Sequence, residues 1–450
     1  MAQAPDHDDA SATGAPLQDR RFTGPLATPT QIAMEKRALR LRDHPDVVAC
    51  RDAFAEKMKA DPVAQIPEGA AALEVSLDQW VMTLIQWVLN GDTARPQIVW
   101  TVEDTPKRWF GHAMPGAAAA GDNPDHIYRN AFLDGESEYV VEGRVPANGP
   151  AQLALEIYRG SPSDTPMTTQ SAKSPDLGNQ VSLVTTDKME IDADGRFTVT
   201  IGKNAGPVTN NHLLLEDGPM TFAARDMLSD WSQEPCTLSI RRTAGPEAPP
   251  PASDEEMVAR IVAGLPGFVT FWSGFKNMWL GGIGDNRVTG PVAREGGWGY
   301  LAAGRYKLSD DEALVFETRT GNAPYTGFMV MNLWMVLDVP AWKANVSLNK
   351  AQVRPNPDGS ITYVLSRRDP GVANWIDTSG VSHGIFLLRW QIVPPETQAA
   401  DLLQSMRLVK LADLERVIAP DVPRMDELGR ARQIAARKRA FETRLGKLEG

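Results

Sequence analysis

The sequence predicts a mainly β protein: two jelly-roll-like β-sandwich modules related by internal duplication, with N-terminal, inter-module and C-terminal helices. Three observations carry this. Asp194-Gly195-Arg196-Phe197-Thr198-Val199-Thr200 is echoed by Asp358-Gly359-Ser360-Ile361-Thr362-Tyr363-Val364, and the ungapped register places Asn210 on Asn374, Phe222 on Phe386 and Arg225 on Arg389, an offset of 164 (358 − 194). Short runs of β-branched and aromatic residues alternate with turn signals, the pattern of a sandwich. An aromatic-rich helical stretch precedes each run of strands, so the order of elements repeats as well.

Residues 1–28, rich in Ala, Asp, Pro, Gly and Thr, read as a disordered tail. Residues 29–118 form a helical N-terminal region. Ile32, Met34, Leu39 and Leu41 punctuate a charged stretch over 30–60. Ser76 and Gln79 read as a capping box ahead of Leu77, Trp80, Val81, Leu84, Trp87 and Val88 at helical spacing, with Gly91 as the C-cap. The first sandwich occupies 119–245, with strands over 138–145, 152–158, 196–201, 220–226 and 236–242. Asp134-Gly135 and Asp194-Gly195 turn the chain, because such pairs readily reach the positive φ of a tight turn.

The Pro-rich segment 243–252 is a linker. Ser253 and Glu256 form a second capping box that opens a helical connector over 253–285. A second helical run there carries Phe268, Phe271, Trp272, Phe275 and Trp279 and ends at glycines 281–284. The second sandwich occupies 290–396, with strands over 313–319, 327–337, 346–353, 361–366 and 385–393. Matching 138–145 to 313–319 sets Glu142 and Arg144 over Glu317 and Arg319. Residues 397–450 read as basic C-terminal helices: from residue 430 on, Arg430, Arg432, Arg437, Lys438, Arg439, Arg444 and Lys447 face only Glu442 and Glu449, and Ile434, Phe441, Leu445 and Leu448 supply a docking seam.

Apolar content of 42% and charged content of 23% belong to a soluble globular protein, and 450 residues exceed one ordinary core. A net charge of −11 argues against nucleic acid as a partner, which requires a basic face. Two cysteines, Cys50 and Cys236, make no disulfide framework and favour a reducing compartment. No Cys-x-x-Cys or His-rich cluster indicates structural zinc. Arg20-Arg21-Phe22 is not followed by the apolar stretch of an export signal, and the most apolar segment, 80–89, is too short to cross a bilayer. A cytoplasmic location follows. A small-molecule ligand is the expected partner, with a second copy of the chain left open; membrane contact through the basic tail is the weaker reading.

The stretch 356–390 resembles a bacterial family, the domain of unknown function numbered twelve-fourteen. The residues that carry the resemblance are the Asp-Pro-Gly-Val-x-Asn-Trp core from Asp369 to Trp375, then Asp377-Thr378, Gly380 and Arg389-Trp390. Leu333-Trp334-Met335 and Val346-Ser347-Leu348-Asn349 fit it too. Gly121-Asp122-Asn123-Pro124-Asp125 with Tyr128 looks like the front-half motif of its longer members. The resemblance covers roughly 120–395 and implies paired jelly-roll-like β modules, with no established activity. One turn departs from the family pattern, reading Val381-Ser382-His383-Gly384.

Gly380-Val381-Ser382-His383-Gly384 matches the Gly-x-Ser-x-Gly nucleophile elbow in letters, but a strand rather than a helix follows, so a Gly-rich hairpin turn is the better reading. Asp377 and His383 are the candidates for proton transfer, and Arg368 and Arg389 for anion contact. Asn374, Trp375 and Asp369, together with Asp122 and Tyr128, are the candidate substrate-binding residues. The competing structural reading makes Asp377 a turn cap and Arg389 a half-buried strand arginine, a reading that its counterpart Arg225 strengthens. Asp122, Asp125 and His126, with His112 nearby, could hold a metal, but their spacing fits no metal motif and a loop built on Asx turns is preferred, so no metal is assigned. No P-loop, Rossmann fingerprint or His-Glu-x-x-His is present, and no cofactor is expected.

The leading functional expectation is a cofactor-independent hydrolase, lyase or isomerase acting on a small apolar organic molecule in an aromatic-lined cleft, within the second sandwich or between the two. The alternative is a non-catalytic small-molecule-binding or scaffold protein. The second reading predicts that Arg368, Asp369, Asn374, Asp377 and His383 spread over the surface rather than converge.

Overall fold

Strand alternation sorts the β segments of the two modules into four sheets, beside two small two-stranded ribbons, seen in a computed structural model that describes residues 22–160, 179–204, 210–294 and 299–448. Residues 1–21, which hold most of the expected tail and Arg20-Arg21, lie outside the described residues, as do the side chains of Trp279, Lys447 and Leu448. The first module contains nine strands: β1 (Val99–Val102), β2 (His126–Asp134), β3 (Glu138–Arg144), β4 (Gln152–Arg159), β5 (Gln180–Thr185), β6 (Arg196–Gly202), β7 (His212–Leu214), β8 (Pro219–Met227) and β9 (Thr237–Ala244). They form a five-stranded sheet, β1-β2-β8-β4-β5, and a four-stranded sheet, β7-β6-β3-β9.

The second module repeats this order. Its strands are β10 (Arg287–Ala293), β11 (Tyr300–Lys307), β12 (Glu312–Thr318), β13 (Tyr325–Met331), β14 (Ser347–Asn349), β15 (Ile361–Ser366), β16 (Trp375–Asp377), β17 (His383–Gln391) and β18 (Leu403–Lys410). The sheets run β10-β11-β17-β13-β14 and β16-β15-β12-β18, so each strand has its counterpart nine positions on. Even the parallel pairings, β6 with β7 and β15 with β16, coincide.

Register agrees side chain by side chain. Glu142 lies opposite Thr198 and Ser239, and Glu317 lies opposite Thr362 and Ser405. Arg144 Nε donates to the Asp194 carbonyl at 3.0 Å, and Arg319 Nη1 donates to the Asp358 carbonyl at 3.1 Å. The ungapped match slips at one place. Asn211, not Asn210, occupies the position of Asn374: each amide brackets a backbone peptide, Asn211 that of Glu190 (2.8 and 2.8 Å) and Asn374 that of Arg354 (2.7 and 2.8 Å). The connection before this strand is one residue longer in the first module (203–211 against 367–374), and the next is one shorter (215–218 against 378–382). The two changes cancel, so Phe222 and Arg225 still correspond to Phe386 and Arg389.

Each sandwich closes on its own apolar core. Leu133, Tyr139, Val141, Leu155, Ile157, Val199 and Phe222 fill the first. Phe316, Phe328, Tyr363 and Phe386 fill the second, with Phe316 and Phe386 edge-to-face at 5.1 Å. Two module limits differ from expectation. Val99–Val102 pairs with β2, so the first module begins before residue 119. Leu403–Lys410, expected within C-terminal helices, pairs instead with β12 and completes the second module.

The helices α1 (Pro29–Arg42), α2 (Pro45–Met58), α3 (Pro67–Leu89) and α4 (Asp254–Leu280) share a core with Trp334 and Val336 of the second module. The expected cap at Ser76 is not one. Helix α3 starts at Pro67, where the ring pre-sets the helical φ, and Ser76 lies buried in mid-helix, where its hydroxyl accepts from Asn332 Nδ2 at 3.1 Å. The expected box at Ser253 does form, with Glu256 N to Ser253 Oγ at 3.2 Å and Ser253 N to Glu256 Oε2 at 2.7 Å. The two helical runs expected after it are one helix with Pro266 inside. Proline cannot bond the Val262 carbonyl, and Cys50 Sγ approaches that oxygen at 3.7 Å. Cys50 and Cys236 are both free thiols. By length and hydropathy, 254–277 could cross a membrane, unlike 80–89, but Met257, Val258, Ile261, Leu265, Phe268 and Val269 are packed into the helical core.

The last long helix, α5 (Glu427–Arg444), keeps Phe441 and Leu445 of the expected seam packed inward and adds arginines to it. Its buried residues are Arg430, Arg437, Phe441 and Arg444, three arginines at seven-residue spacing. Arg430 donates to the Val372 and Ala373 carbonyls, Arg437 to those of Ala341 and Ser347, and Arg444 to that of Pro124. Guanidinium groups satisfy carbonyls in loops and at the first residue of β14, which an apolar seam would leave stranded.

The buried ion pair between Arg129 and Asp226 (2.5 Å) anchors β2 to β8, and Asp226 also accepts from Cys236 N at 2.9 Å. Asp226→Ala strands the Arg129 charge and is expected to lower stability by about 3–5 kcal/mol in urea unfolding; a loss below about 1 kcal/mol would show that Arg129 is not left buried and unpaired.

Candidate functional site between the modules

The loop leading into β2 places charged side chains where the two five-stranded sheets turn their outer faces toward each other. Gly121 makes the close approach possible. Its φ is +74°, and a Cβ there would stand 3.1 Å from Met335 Cε, with the Phe275 ring beyond. Its N–H donates to the Met335 carbonyl at 2.8 Å, and its carbonyl accepts from Arg389 Nη2 at 2.6 Å. The second module thus grips the first by backbone on both sides of this residue.

From there the loop splits its two aspartates between two tasks. Asp125 is fully buried and accepts from Trp231 Nε1 at 2.6 Å, Tyr325 OH at 2.8 Å and Asn349 Nδ2 at 3.2 Å. Burial raises its carboxyl above the usual range, and these donors oppose the shift. Asp122 faces the other way. One oxygen accepts from Ala119 N at 2.7 Å, and the residue as a whole is half-buried. Burial pushes it up to about 7, against the pull of Arg389 and Arg225. Asp104 behind it is raised too, by burial and then by Asp122 itself. The two aspartates thus turn toward different partners. Among the described residues, no three His, Cys, Asp or Glu side chains gather to hold an ion. His112 is drawn off to Glu35 at 2.7 Å.

Around Asp122 the sheet faces supply the rest. On β2, Tyr128 accepts from Asn123 N at 3.0 Å, and its hydroxyl lies 3.3 Å from His126 Nδ1. On β8, directly opposite Tyr128, Arg225 stands over that ring at 5.2 Å and faces Glu156 at 3.6 Å. Glu156 is also held by Tyr158 OH and by Gln180 Nε2 at 3.1 Å. On β17, Arg389 and Gln391 point the same way, as residues two apart on a strand must. Burial, reinforced by Arg225, Arg389 and Arg294, holds His126 well below its ordinary pKa, so its ring is neutral at pH 7. A carboxyl poised near neutrality beside a phenol, a neutral imidazole and guanidinium groups can exchange a proton with a bound molecule while a cation stabilises the charge that develops.

Of the residues singled out from sequence, Asp122, Tyr128 and Arg389 meet here. The others do not. Asp377 accepts from Ser379 N at 2.7 Å and caps a turn. His383 pairs with Asp285 at 3.0 Å and starts β17, six residues and roughly 20 Å from Arg389 at about 3.3 Å per residue. Ser382, the elbow serine, donates to Glu68 and leads into a strand. Arg368 is exposed and paired with Asp310 at 2.9 Å. Asp369 holds Arg430 at 3.0 Å, Asn374 brackets the Arg354 peptide, and Trp375 Nε1 donates to the Ser366 carbonyl at 3.1 Å. In the second-half polar loop, Asp369, Trp375 and Asp377 gather around Arg430, away from Asp122, while Arg368 and His383 are paired elsewhere.

Glu156, Tyr158 and Gln391 escaped the sequence reading. The alternation Gln152, Ala154, Glu156, Tyr158 along β4 carried a signal, since it places polar groups on the face opposite Leu153, Leu155 and Ile157.

No family model matches the chain, and no curated protein matches it. Among solved structures, the fold is similar to that of an uncharacterized protein from Burkholderia cenocepacia, with 21% identity and a TM-score of 0.61 over 85% of this chain and 99% of that one. At that identity the likeness extends to the fold alone. A protein from Vibrio parahaemolyticus matches at 11% identity over 64% of this chain and 90% of that one, with a TM-score of 0.37.

Because Asp122 titrates near 7 in the folded chain and near 3.8 in its ordinary state, the folded protein holds the extra proton between those values, and stability falls as pH rises through them. Asp122→Asn is expected to reduce the stability lost between pH 5 and pH 8 by about 2–3 kcal/mol, at roughly 1.4 kcal/mol per unit. Identical pH profiles for the two proteins would show that Asp122 titrates normally.

Proposed function

We propose that the protein is a cofactor-independent enzyme, of hydrolase, lyase or isomerase type, acting on a small organic molecule held in the seam between its two modules. Asp122 is the proton-transfer group, Tyr128 and neutral His126 orient the proton, and Arg389 and Arg225 stabilise negative charge on the bound molecule. The observation that carries this reading is the Asp122 carboxyl, on a half-buried residue and lifted to about 7 by burial within a cluster to which both modules contribute. Asp377, His383 and Arg368 take no part in it, because their positions are far from that cluster and each has a structural partner. The alternative, a non-catalytic binding protein, would use the same seam and differ only in leaving its ligand unchanged.

The matched strand orders support a further reading: the modules are copies of one jelly-roll-like unit, in which the eighth strand lies between the second and the fourth. The motif over 356–390 supports membership in the family twelve-fourteen. The acidic balance and free thiols support a cytoplasmic protein with a small-molecule partner, no nucleic acid, and a second copy as the remaining protein partner.

Screening a library of small hydrolase, lyase and isomerase substrates against the full chain tests the proposal. With any substrate found, Asp122→Asn should lower kcat by about 10²–10⁴-fold, while Arg368→Ala leaves it unchanged. A ligand that binds the seam but is recovered unaltered would favour the binding reading. Turnover that survives Asp122→Asn removes the assignment.

A further inference from the structure

The hydrogen bonds around Tyr128 have directions that follow from one another, atom by atom. Asp125 N donates to Asn123 Oδ1 at 3.0 Å, which fixes that amide and sets its Nδ2 on the other side. Nδ2 donates to Tyr325 OH at 2.5 Å and lies 3.3 Å from His126 Nε2. Tyr325 in turn donates to Asp125 Oδ2 at 2.8 Å. An amide nitrogen only donates, so the neutral His126 ring accepts at Nε2 and carries its single hydrogen on Nδ1. The Gln391 side chain also meets this ring, and with no other partner among the described residues its amide can rotate to suit that tautomer. Residues 126 and 128 share a face of β2, and His126 Nδ1 lies 3.3 Å from the Tyr128 oxygen. The N–H of the peptide that joins Asp122 to Asn123 reaches the same oxygen at 3.0 Å. Two N–H groups therefore fill the acceptor positions of the phenol. Its own O–H has no acceptor among the described residues and is left to the seam, where Arg225, Arg389 and Asp122 act on it.

We infer that Tyr128 is a catalytic hydrogen-bond donor, and that the molecule acted on is a carbonyl compound with a hydrogen on the adjacent carbon, its oxygen received by the Tyr128 hydroxyl. The inference rests on the proposed role of Asp122 as the proton-transfer group. The ionised Asp122 carboxyl takes the proton from that carbon. The C–H electron pair becomes the new carbon–carbon double bond, and the carbonyl pair moves onto oxygen, where the Tyr128 O–H meets it. Asp122 then returns the proton to the same carbon or to one further along a conjugated chain, so atoms and electrons balance with no other reactant. A phenol that already accepts two N–H bonds donates more strongly as charge builds on its own acceptor. Burial holds the Tyr128 phenol above its ordinary pKa, so the hydrogen is in place when the molecule arrives. Among the reaction types proposed above, this geometry selects isomerisation.

Histidine 15N resonances of the full chain test the tautomer, with His126→Gln identifying the signal. A hydrogen on Nδ1 is expected; one on Nε2 overturns the inference, because Tyr128 then gives its hydroxyl to the ring. 3-Nitrophenol and 4-nitrophenol, whose phenolate oxygen stands in for that of an enolate, should bind as phenolates by absorbance. Tyr128→Phe should weaken them at least about tenfold, the loss of one charge-assisted bond. Should that variant fail to melt cooperatively, 3-fluorotyrosine incorporated at Tyr128 keeps the donor, makes it more acidic and should tighten phenolate binding. Acetophenone and cyclohexanone in heavy water should exchange the hydrogens beside the carbonyl faster with the protein present. Tyr128→Phe should lower that acceleration by about 10²–10³-fold, and Asp122→Asn should remove it. Exchange that needs Asp122 but survives Tyr128→Phe overturns the inference and leaves the proposed function standing. Exchange untouched by either variant removes both. Neither phenolate binding nor exchange sinks the carbonyl class, and the proposed function then depends on the substrate screen alone.

Discussion

One buried carboxylate joins the two halves of this protein. Asp125 sits in the first module's loop, and three donors converge on it: Trp231 from beyond β8, Tyr325 from β13 and Asn349 from β14. An isolated carboxylate at that depth would be costly to bury, so its three hydrogen bonds are a condition of the loop's conformation. Once Asp125 is fixed, Asn123 meets Tyr325, Gly121 meets Met335 and Arg389, and Asp122 is left facing the gap between the sheets. The chemistry proposed for Asp122 thus depends on a neighbour three residues away that has no chemical task.

The final long helix closes the same junction from outside. Arg437 and Arg444 flank Trp231 at 4.3 and 5.2 Å, and Trp231 is itself bound to Asp125. Burial lowers both guanidinium pKa values, and Asp125 counters it. Charge complementarity here runs from helix to tryptophan to carboxylate. An apolar helix face in the same place could not answer either the carbonyls or the acid.

Much of the fold was legible in the sequence, because repeated Asp-Gly turns and alternating strands are local signals. Less of the site was, for three physical reasons. Short strands such as Trp375–Asp377 and His212–Leu214 are fixed by pairing with distant partners, not by propensity. Arginines read as solvent-facing in α5 are buried, since a charged residue gives no sign of which carbonyls await it. The comparison of the two halves also misdirected the search. A feature shared by both was assigned to architecture, so Arg225 weakened the case for Arg389. Yet equivalent positions on facing sheets are brought together, and the shared arginine is where the modules meet around Asp122. The loop peculiar to the second half, with Arg368, Asn374 and Asp377, turned out to tie turns and strands together.

The contacts that position Asp125 and its neighbours span long stretches of chain: 200 residues to Tyr325, 224 to Asn349, and 320 from Pro124 to Arg444. As the polypeptide leaves the ribosome, the first sandwich can pair its strands while this acid still waits, hydrated, for donors not yet synthesised. The half-finished protein is therefore a folded sandwich with an open polar edge, and the seam assembles only as a late docking event.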